Sequence, residues 1–277
     1  MMRTTSIWKS YIRWAIVALL SVFYLYPLYM LTVLSLKTNE QMFASAFGLK
    51  GGFHFTNYVE AWTRSNFGQA LFNSSLISIV SVSFIILFGA MASYPLARRS
   101  GKLSVLLSLF FVVGLIVPVQ LNLIPLFKMM NSLQLNQSQL GVILLYISFG
   151  MPLTIFLFSS FMRSLPMELE EAAQIDGSSS VGIFFKILLP LLKPVAASVL
   201  ILQFLHIWND FFLPVVFLNT DSLRTVQVAV YSFSGRYSND WAHMFPMIVI
   251  CVAPVMLLYI FLQRYIISGI MSGAVKG

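Results

Sequence analysis

Charge is scarce in this sequence. Only 9% of its 277 residues are Asp, Glu, Lys or Arg, against about a quarter in a soluble domain. So few ionisable groups cannot cover the surface of a water-soluble protein of this size. A hydrophobic share of 58% also excludes intrinsic disorder, which needs the opposite balance. An ordinary cytosolic enzyme is therefore excluded. Cysteine is nearly absent. Cys251 stands alone in an apolar run, which allows no internal disulfide and no cysteine metal site; it reads as a small packing residue. Catalytic patterns are missing as well. The only Gly-Lys pair, Gly101-Lys102, precedes Leu103 where a phosphate-binding loop requires Ser or Thr, and Leu96 occupies its first glycine position. There is no H-E-x-x-H and no G-x-S-x-G, and His54, His206 and His243 lie far apart. The chain reads as non-catalytic, with no metal site of its own.

What is present is long apolar runs, with 25 Phe and 14 Met. A spanning helix needs about 20 apolar residues, because a core of about 30 Å divides by a rise of 1.5 Å per residue. Six stretches qualify: Trp14 to Leu36, Ser65 to Ala97, Leu103 to Phe127, Leu140 to Phe161, Pro194 to Leu218 (broken only by Asp210), and Met244 to Gln263. The expectation is an all-α integral membrane protein with six transmembrane helices. An even number puts both termini on one side. Alternate loops divide the basic residues eleven to six. The richer set, with the Arg98-Arg99-Ser-Gly-Lys102 turn at its centre, includes both termini and is assigned to the cytoplasm. The net charge of +8 is explained by this bias. No basic patch with interleaved aromatics points to nucleic acid. The first apolar stretch is too long for a signal peptide and has no cleavage site after it, so it is read as a retained helix. The organisation expected is a cytoplasmic N-terminus at 1–13, one six-helix transmembrane domain at 14–266, and a cytoplasmic tail at 267–277.

Two loops exceed simple turns. The outer one, Lys37 to Gln69, is rich in aromatics. The inner one, Arg163 to Lys193, carries four of the nine acidic residues, more than any other loop. It reads as two short helices. Pro166 suits a first helical turn, and Glu168, Glu170 and Glu171 sit near the positive end of the helix dipole. Ala172 and Ala173 present a flat surface. Gly177 can take the left-handed turn that ends the helix, and Ser178 to Ser180 can cap the next one, which stops before Pro190. A third segment, Asn219 to His243, is placed outside, and Thr225 to Val230 alternates like a short strand.

Within the inner loop, Glu171-Ala172-Ala173, then Gly177, Ile187 and Leu189-Pro190, match every fixed position of E-A-A-x3-G-x9-I-x-L-P. This resembles the motif of inner-membrane permease subunits of binding-protein-dependent ABC importers. Trp208-Asn209-Asp210-Phe211, the Gln263-Arg264-Tyr265 to Gly277 terminus, and Phe55-Thr-Asn57-Tyr58 are similar to the carbohydrate-uptake branch, and most to the second permease of maltose-type systems.

The resemblance implies the ABC importer permease fold and transport of a sugar. It also implies three kinds of protein partner beside membrane lipid. These are a second homologous permease, two copies of a cytoplasmic ATP-binding subunit that holds ATP and Mg, and an extracytoplasmic solute-binding protein. This chain would bind no cofactor. The loop at 163–193 would form coupling helices on the ATPase, with Glu171 meeting an Arg or Lys and Ala172, Ala173 and Gly177 allowing close approach. Asp176 is grouped with them, although on its own it reads, like Glu168, as a solvated charge. Ile187, Leu189 and Pro190 would fix the loop to the transmembrane helices.

Polar groups inside an apolar span normally face a protein interior or a water-filled path. Gln203, His206 and Asp210 lie at i, i+3 and i+7, on one helical face. With Asn209 and Trp208 they are the candidate lining of the translocation pathway. Pro118, Pro125 and Pro152 admit kinks in spans three and four. The competing reading is a stand-alone ion-coupled secondary transporter, which needs acidic or His groups deep in several spans. Only His206 and Asp210 qualify, and both lie in one span. A membrane enzyme or scaffold has still less to support it.

Overall fold

The computed structural model describes residues 4–45, 48, 52–235 and 239–274, without the side chains of 4–9, 262 and 264–274. Helices follow in the order α1 Thr4–Ser35, α2 Asn39–Ala44, α3 Thr56–Arg64, α4 Phe67–Arg98, α5 Lys102–Gly114, α6 Leu123–Ser132 and α7 Gln139–Arg163. They continue as α8 Glu168–Ile175, α9 Ser180–Ile183, α10 Leu189–Leu191, α11 Lys193–Asn209, α12 Phe212–Phe217, α13 Val226–Tyr231 and α14 Trp241–Ala274. Among the described residues no strand forms beyond one isolated bridge, Ser234 with Asn239.

Four helices are long and apolar enough to cross a membrane: Ser10–Ser35, Phe67–Arg98, Gln139–Arg163 and Trp241–Phe261. Two more candidates are bent pairs. Lys102–Gly114 meets Val119–Ser132 at 91°, and Ser180–Leu191 meets Lys193–Asn209 at 72°, so the count reaches six if each pair is one span. The third expected span is thus not one continuous helix. It breaks before Pro118, whose ring disfavours α geometry in the preceding residue. The fifth is interrupted at Asp210, which adopts extended backbone (ψ 127°).

The chain forms two units, residues 1–67 with 229–253, and 68–228 with 254–277. In the first, α1 is apolar on all sides, and Trp14, Leu19, Phe23 and Tyr24 are each about 70% exposed. Such a helix suits a lipid surround. Its end is clasped by α3: Asn57 Nδ2 donates to the Lys37 carbonyl at 2.9 Å, and the Ser35 and Tyr58 hydroxyls lie 2.7 Å apart. In the second unit, small residues let helices approach closely. A Cβ on Gly150 of α7 would lie 2.5 Å from Ile85 of α4, and one on Gly89 of α4 would collide with Thr154 of α7. Phe158, Met162, Phe184, Leu192 and Val199 fill the core beside them.

The short strand expected at Thr225 to Val230 is instead α13. Val226 and Val228 to Val230 are buried without alternation, and only Gln227 and the terminal Tyr231 are not. An isolated strand would leave its backbone groups unpaired, whereas a helix satisfies them internally. The preceding segment is held by α4: Asn73 Nδ2 donates to the Ser222 and Arg224 carbonyls at 2.9 and 3.0 Å, and Val226 N donates to Ser74 Oγ at 2.9 Å.

Candidate functional site

The loop between α7 and α11 folds as two short helical pieces around a glycine turn. Gly177 sits at φ +81°. Its N–H donates to the Gln174 carbonyl at 3.0 Å, and Ser178 N–H donates to the Ala173 carbonyl at 2.9 Å. This closes the end of α8 through the left-handed position that glycine adopts without a Cβ penalty. Ser179 caps the next piece, its hydroxyl accepting from Gly182 N–H at 3.2 Å.

The alanine pair divides between two faces. Ala172 is exposed with Glu171, Asp176 and Gly177. Ala173 is turned inward, 7% exposed, and packs with Ile183 and Leu188. The flat face expected from both alanines is therefore carried by Ala172 alone, and it is bordered by Ile175 (87% exposed) and Val181. Ile187 packs against the Ala173 cluster, and Leu189 against the transmembrane core. Pro190, just after Leu189, is exposed.

Glu170, one residue before the motif, has from sequence alone no role beyond favouring the helix dipole. It is buried and paired. Arg98 Nε of α4 donates to its Oε1 at 2.6 Å, and the Tyr94 hydroxyl to its Oε2 at 3.0 Å. A signal existed: Glu170 is three residues from the inward Ala173, hence on the same helical face.

A second feature is a cavity of about 420 Å³. Gln203, His206 and Asp210 all line it, with Gln120, Phe149 and Leu153. Their polar groups differ in availability. Gln203 Nε2 is directed into α7, donating to the Gly150 carbonyl at 3.2 Å and Thr154 Oγ1 at 3.4 Å. The Asp210 carboxylate caps α12, accepting from Phe212 N–H at 2.9 Å and Leu213 N–H at 3.3 Å. It also accepts the Tyr146 hydroxyl at 2.8 Å. His206 and Gln120 are exposed and have no hydrogen-bond partner among the described residues. Gln120 escaped the sequence reading because a span taken as one straight helix gives no reason to single it out; the break at Pro118 turns it toward the cavity.

Trp208 and Asn209 do not line this cavity. Trp208 is 2% exposed, and its ring stacks on Phe204 at 5.5 Å. Asn209 donates to the Leu205 carbonyl at 2.9 Å. Of the expected C-terminal pattern, Val275, Lys276 and Gly277 lie outside the described residues.

The bonding of Asp210 predicts a structural effect. Asp210→Ala leaves two partly buried N–H groups and the Tyr146 hydroxyl without an acceptor, at about 1–3 kcal/mol for each fully desolvated group. Asp210→Asn keeps one carbonyl oxygen. Thermal unfolding of the purified protein should rank wild type above Asn and Asn above Ala; three equal midpoints would remove the capping role.

Residues 85–272 match the family described as the binding-protein-dependent transport system inner membrane component. The chain is 36% identical over 252 residues to the melibiose/raffinose/stachyose import permease protein MelC of Bacillus subtilis, covering 91% of each. It is 36% identical over 265 residues to the diacetylchitobiose uptake system permease protein NgcG of Streptomyces coelicolor, covering 95% of this chain and 87% of the relative. In fold it is similar to a chain of a bacterial ABC transporter involved in import of the acidic polysaccharide alginate. There the TM-score is 0.79 at 19% identity, covering 95% of this chain and 98% of that one. A second alginate ABC transporter, in complex with an alginate pentasaccharide-bound periplasmic protein, gives a TM-score of 0.66 at 15% identity over 94% and 95%. The family match takes in the whole loop from Arg163 to Lys193 and both sides of the polar cavity, and the chain therefore belongs to the inner-membrane components of binding-protein-dependent transport systems.

Proposed function

We propose that this chain is one of two permease subunits of an ATP-driven importer for a neutral oligosaccharide. The observation that carries the substrate class is the near full-length likeness to permeases named for melibiose, raffinose, stachyose and diacetylchitobiose. The chain does no chemistry. A cytoplasmic ATPase, present in two copies and holding ATP and Mg, docks on the face of Glu171, Ala172, Asp176 and Gly177. A solute-binding protein delivers sugar from the other side. ATP binding and sugar delivery favour alternate orientations of one pathway.

The cavity supplies this chain's part of that pathway. His206 and Gln120 offer uncommitted hydrogen-bonding groups to sugar hydroxyls, while Phe149 and Leu153 give apolar walls. Gln203 and Asp210 shape it, since their polar atoms are already bonded. No Lys or Arg lines it, in keeping with an uncharged substrate. The ion-coupled alternative loses its support here, because the carboxylate of Asp210 is engaged in capping a helix.

The test is ATP hydrolysis by the reconstituted complex, with and without its binding protein, over a panel of neutral oligosaccharides and charged sugars. One neutral oligosaccharide should raise the rate severalfold. Stimulation by charged sugars alone would overturn the substrate class. Uptake by the isolated chain, driven by an ion gradient without ATP, would overturn the mechanism.

A further inference from the structure

Helix α4 is gripped at both ends by segments distant in sequence. At one end, Tyr94 and Arg98, one turn apart, face the coupling loop. Arg98 Nε reaches Glu170 of α8 at 2.6 Å, and its Nη2 donates to the Leu165 carbonyl, in the α7–α8 connection, at 3.3 Å. Both side chains of the ion pair are buried, 10% and 6% exposed. The Tyr94 hydroxyl donates to the second oxygen of Glu170, and its ring lies 5.8 Å from that of Phe184 in the loop's second half. Tyr94 also packs on the Ala173, Ile183 and Leu188 cluster. Two side chains of one helix thus hold both halves of the loop, one by charge and one by packing. They bracket Pro95, which removes one backbone hydrogen bond from this turn, so the turn relies on these contacts.

At the opposite end, Asn73 is fully buried and holds the 222–224 backbone by two hydrogen bonds, while it accepts from Gln139 Nε2 at 2.7 Å. Ser74 holds Val226 N–H. The 25 positions from Asn73 to Arg98 lie on one unbroken helix, a length of about 37 Å at 1.5 Å per residue. A packed helix transmits displacement along its axis because its interior contacts yield little.

We propose that Tyr94, Arg98 and Glu170 are positioning residues that lock the coupling loop to α4, and that α4 carries its displacement to the 219–226 segment held by Asn73 and Ser74. This rests on the loop being the ATPase docking site. A buried carboxylate whose two oxygens each accept from a donor of α4 is not a docking residue for another protein; its partners are inside this chain. Glu170 couples what Glu171 contacts.

The experiment uses the reconstituted complex and reads three quantities: retention of the ATPase, basal hydrolysis, and stimulation by the sugar-loaded binding protein. Glu170→Gln and Tyr94→Phe should retain the ATPase and basal hydrolysis, yet lose stimulation and transport per ATP by about tenfold, the scale of a typical coupling between sites. Glu170→Arg should do more, and Glu170→Arg with Arg98→Glu should restore part of it. Asn73→Leu should give the same uncoupling from the other end of α4. Tyr94→Phe removes one hydroxyl only, so it decides the matter if the charge variants fail to fold. Wild-type stimulation in Tyr94→Phe and Glu170→Gln would overturn the lock, and wild-type stimulation in Asn73→Leu would overturn the transmission. Glu171→Arg separates the two readings: if it keeps the ATPase and transports normally, the docking assignment itself is wrong, whatever the lock variants do.

Discussion

Glu171→Arg combined with Gly177→Val is expected to strip the ATPase from the purified complex and to abolish ATP-dependent uptake. Glu171 is exposed on α8, and its carboxylate has no partner among the described residues, unlike that of its neighbour Glu170. On a docked ATPase its carboxylate would accept from a cationic side chain with water excluded, and removing one member of such a pair costs about 2–5 kcal/mol. Reversing its sign adds repulsion. Gly177 contributes through its backbone. At φ +81° it occupies the left-handed region, where a β-branched side chain is strained, although a Cβ there would meet open space within this chain. Valine at that position distorts the turn that presents the docking face and projects two methyl groups toward the partner. At about 1.4 kcal/mol per tenfold, the pair should weaken ATPase retention by about a hundredfold or more. Co-purification of ATPase with tagged permease, followed by uptake in proteoliposomes, measures it. Retention and uptake at wild-type levels would place the ATPase elsewhere.

Trp208→Ala is the second variant with a large expected effect, and the effect falls on stability. The indole is 2% exposed and stacks on Phe204 at 5.5 Å with an interplanar angle of 14°. Its truncation leaves a cavity among side chains that cannot close over it, at about 3–5 kcal/mol. The loss is mainly of packing contacts, since a lipid surround is as apolar as the core. Trp208→Phe, which keeps a stacked ring, should recover most of it. Thermal unfolding in detergent gives the order wild type, Phe, Ala. The pathway-lining role expected from the sequence would show the reverse pattern, with Trp208→Ala as stable as wild type but unable to transport.

The two halves of the Trp208-Asn-Asp-Phe211 stretch show where sequence reasoning stops. A helical wheel places Gln203, His206 and Asp210 on one face, and all three do line one cavity. The wheel assumes a continuous helix, however, and α11 ends at Asn209. Asp210 lies in the break, where a carboxylate has two backbone N–H groups and a tyrosine hydroxyl to satisfy. Whether an intramembrane acid serves a path or a helix end depends on the partners that folding brings to it, and Tyr146 is 64 positions away. Gln120 was illegible for the same reason, because its orientation follows from a 91° bend between two helical segments.

In the coupling loop the division is finer. Local rules suffice for the glycine turn, the Ser179 cap and the end of α8, because each is a bond between residues a few positions apart. They fail for adjacent residues of identical type. Ala172 and Ala173 have the same propensity, and Glu170 and Glu171 the same charge. Rotation by about 100° per residue sends one of each pair toward α4 and the other outward.

The sequence by itself determined the class of this protein. The scarcity of charge, the apolar run lengths and the spaced loop motif are properties of composition and local order, and they specify a helical transport permease subunit. The tertiary structure decided which polar groups are free. Gln203 and Asp210 have their hydrogen bonds made by α7 and α12, Glu170 is paired with Arg98, and the side chains of His206, Gln120 and Glu171 are exposed without a hydrogen-bond partner among the described residues. Availability is a balance of hydrogen bonds across the whole fold, and it becomes readable only once residues far apart in sequence have been brought together.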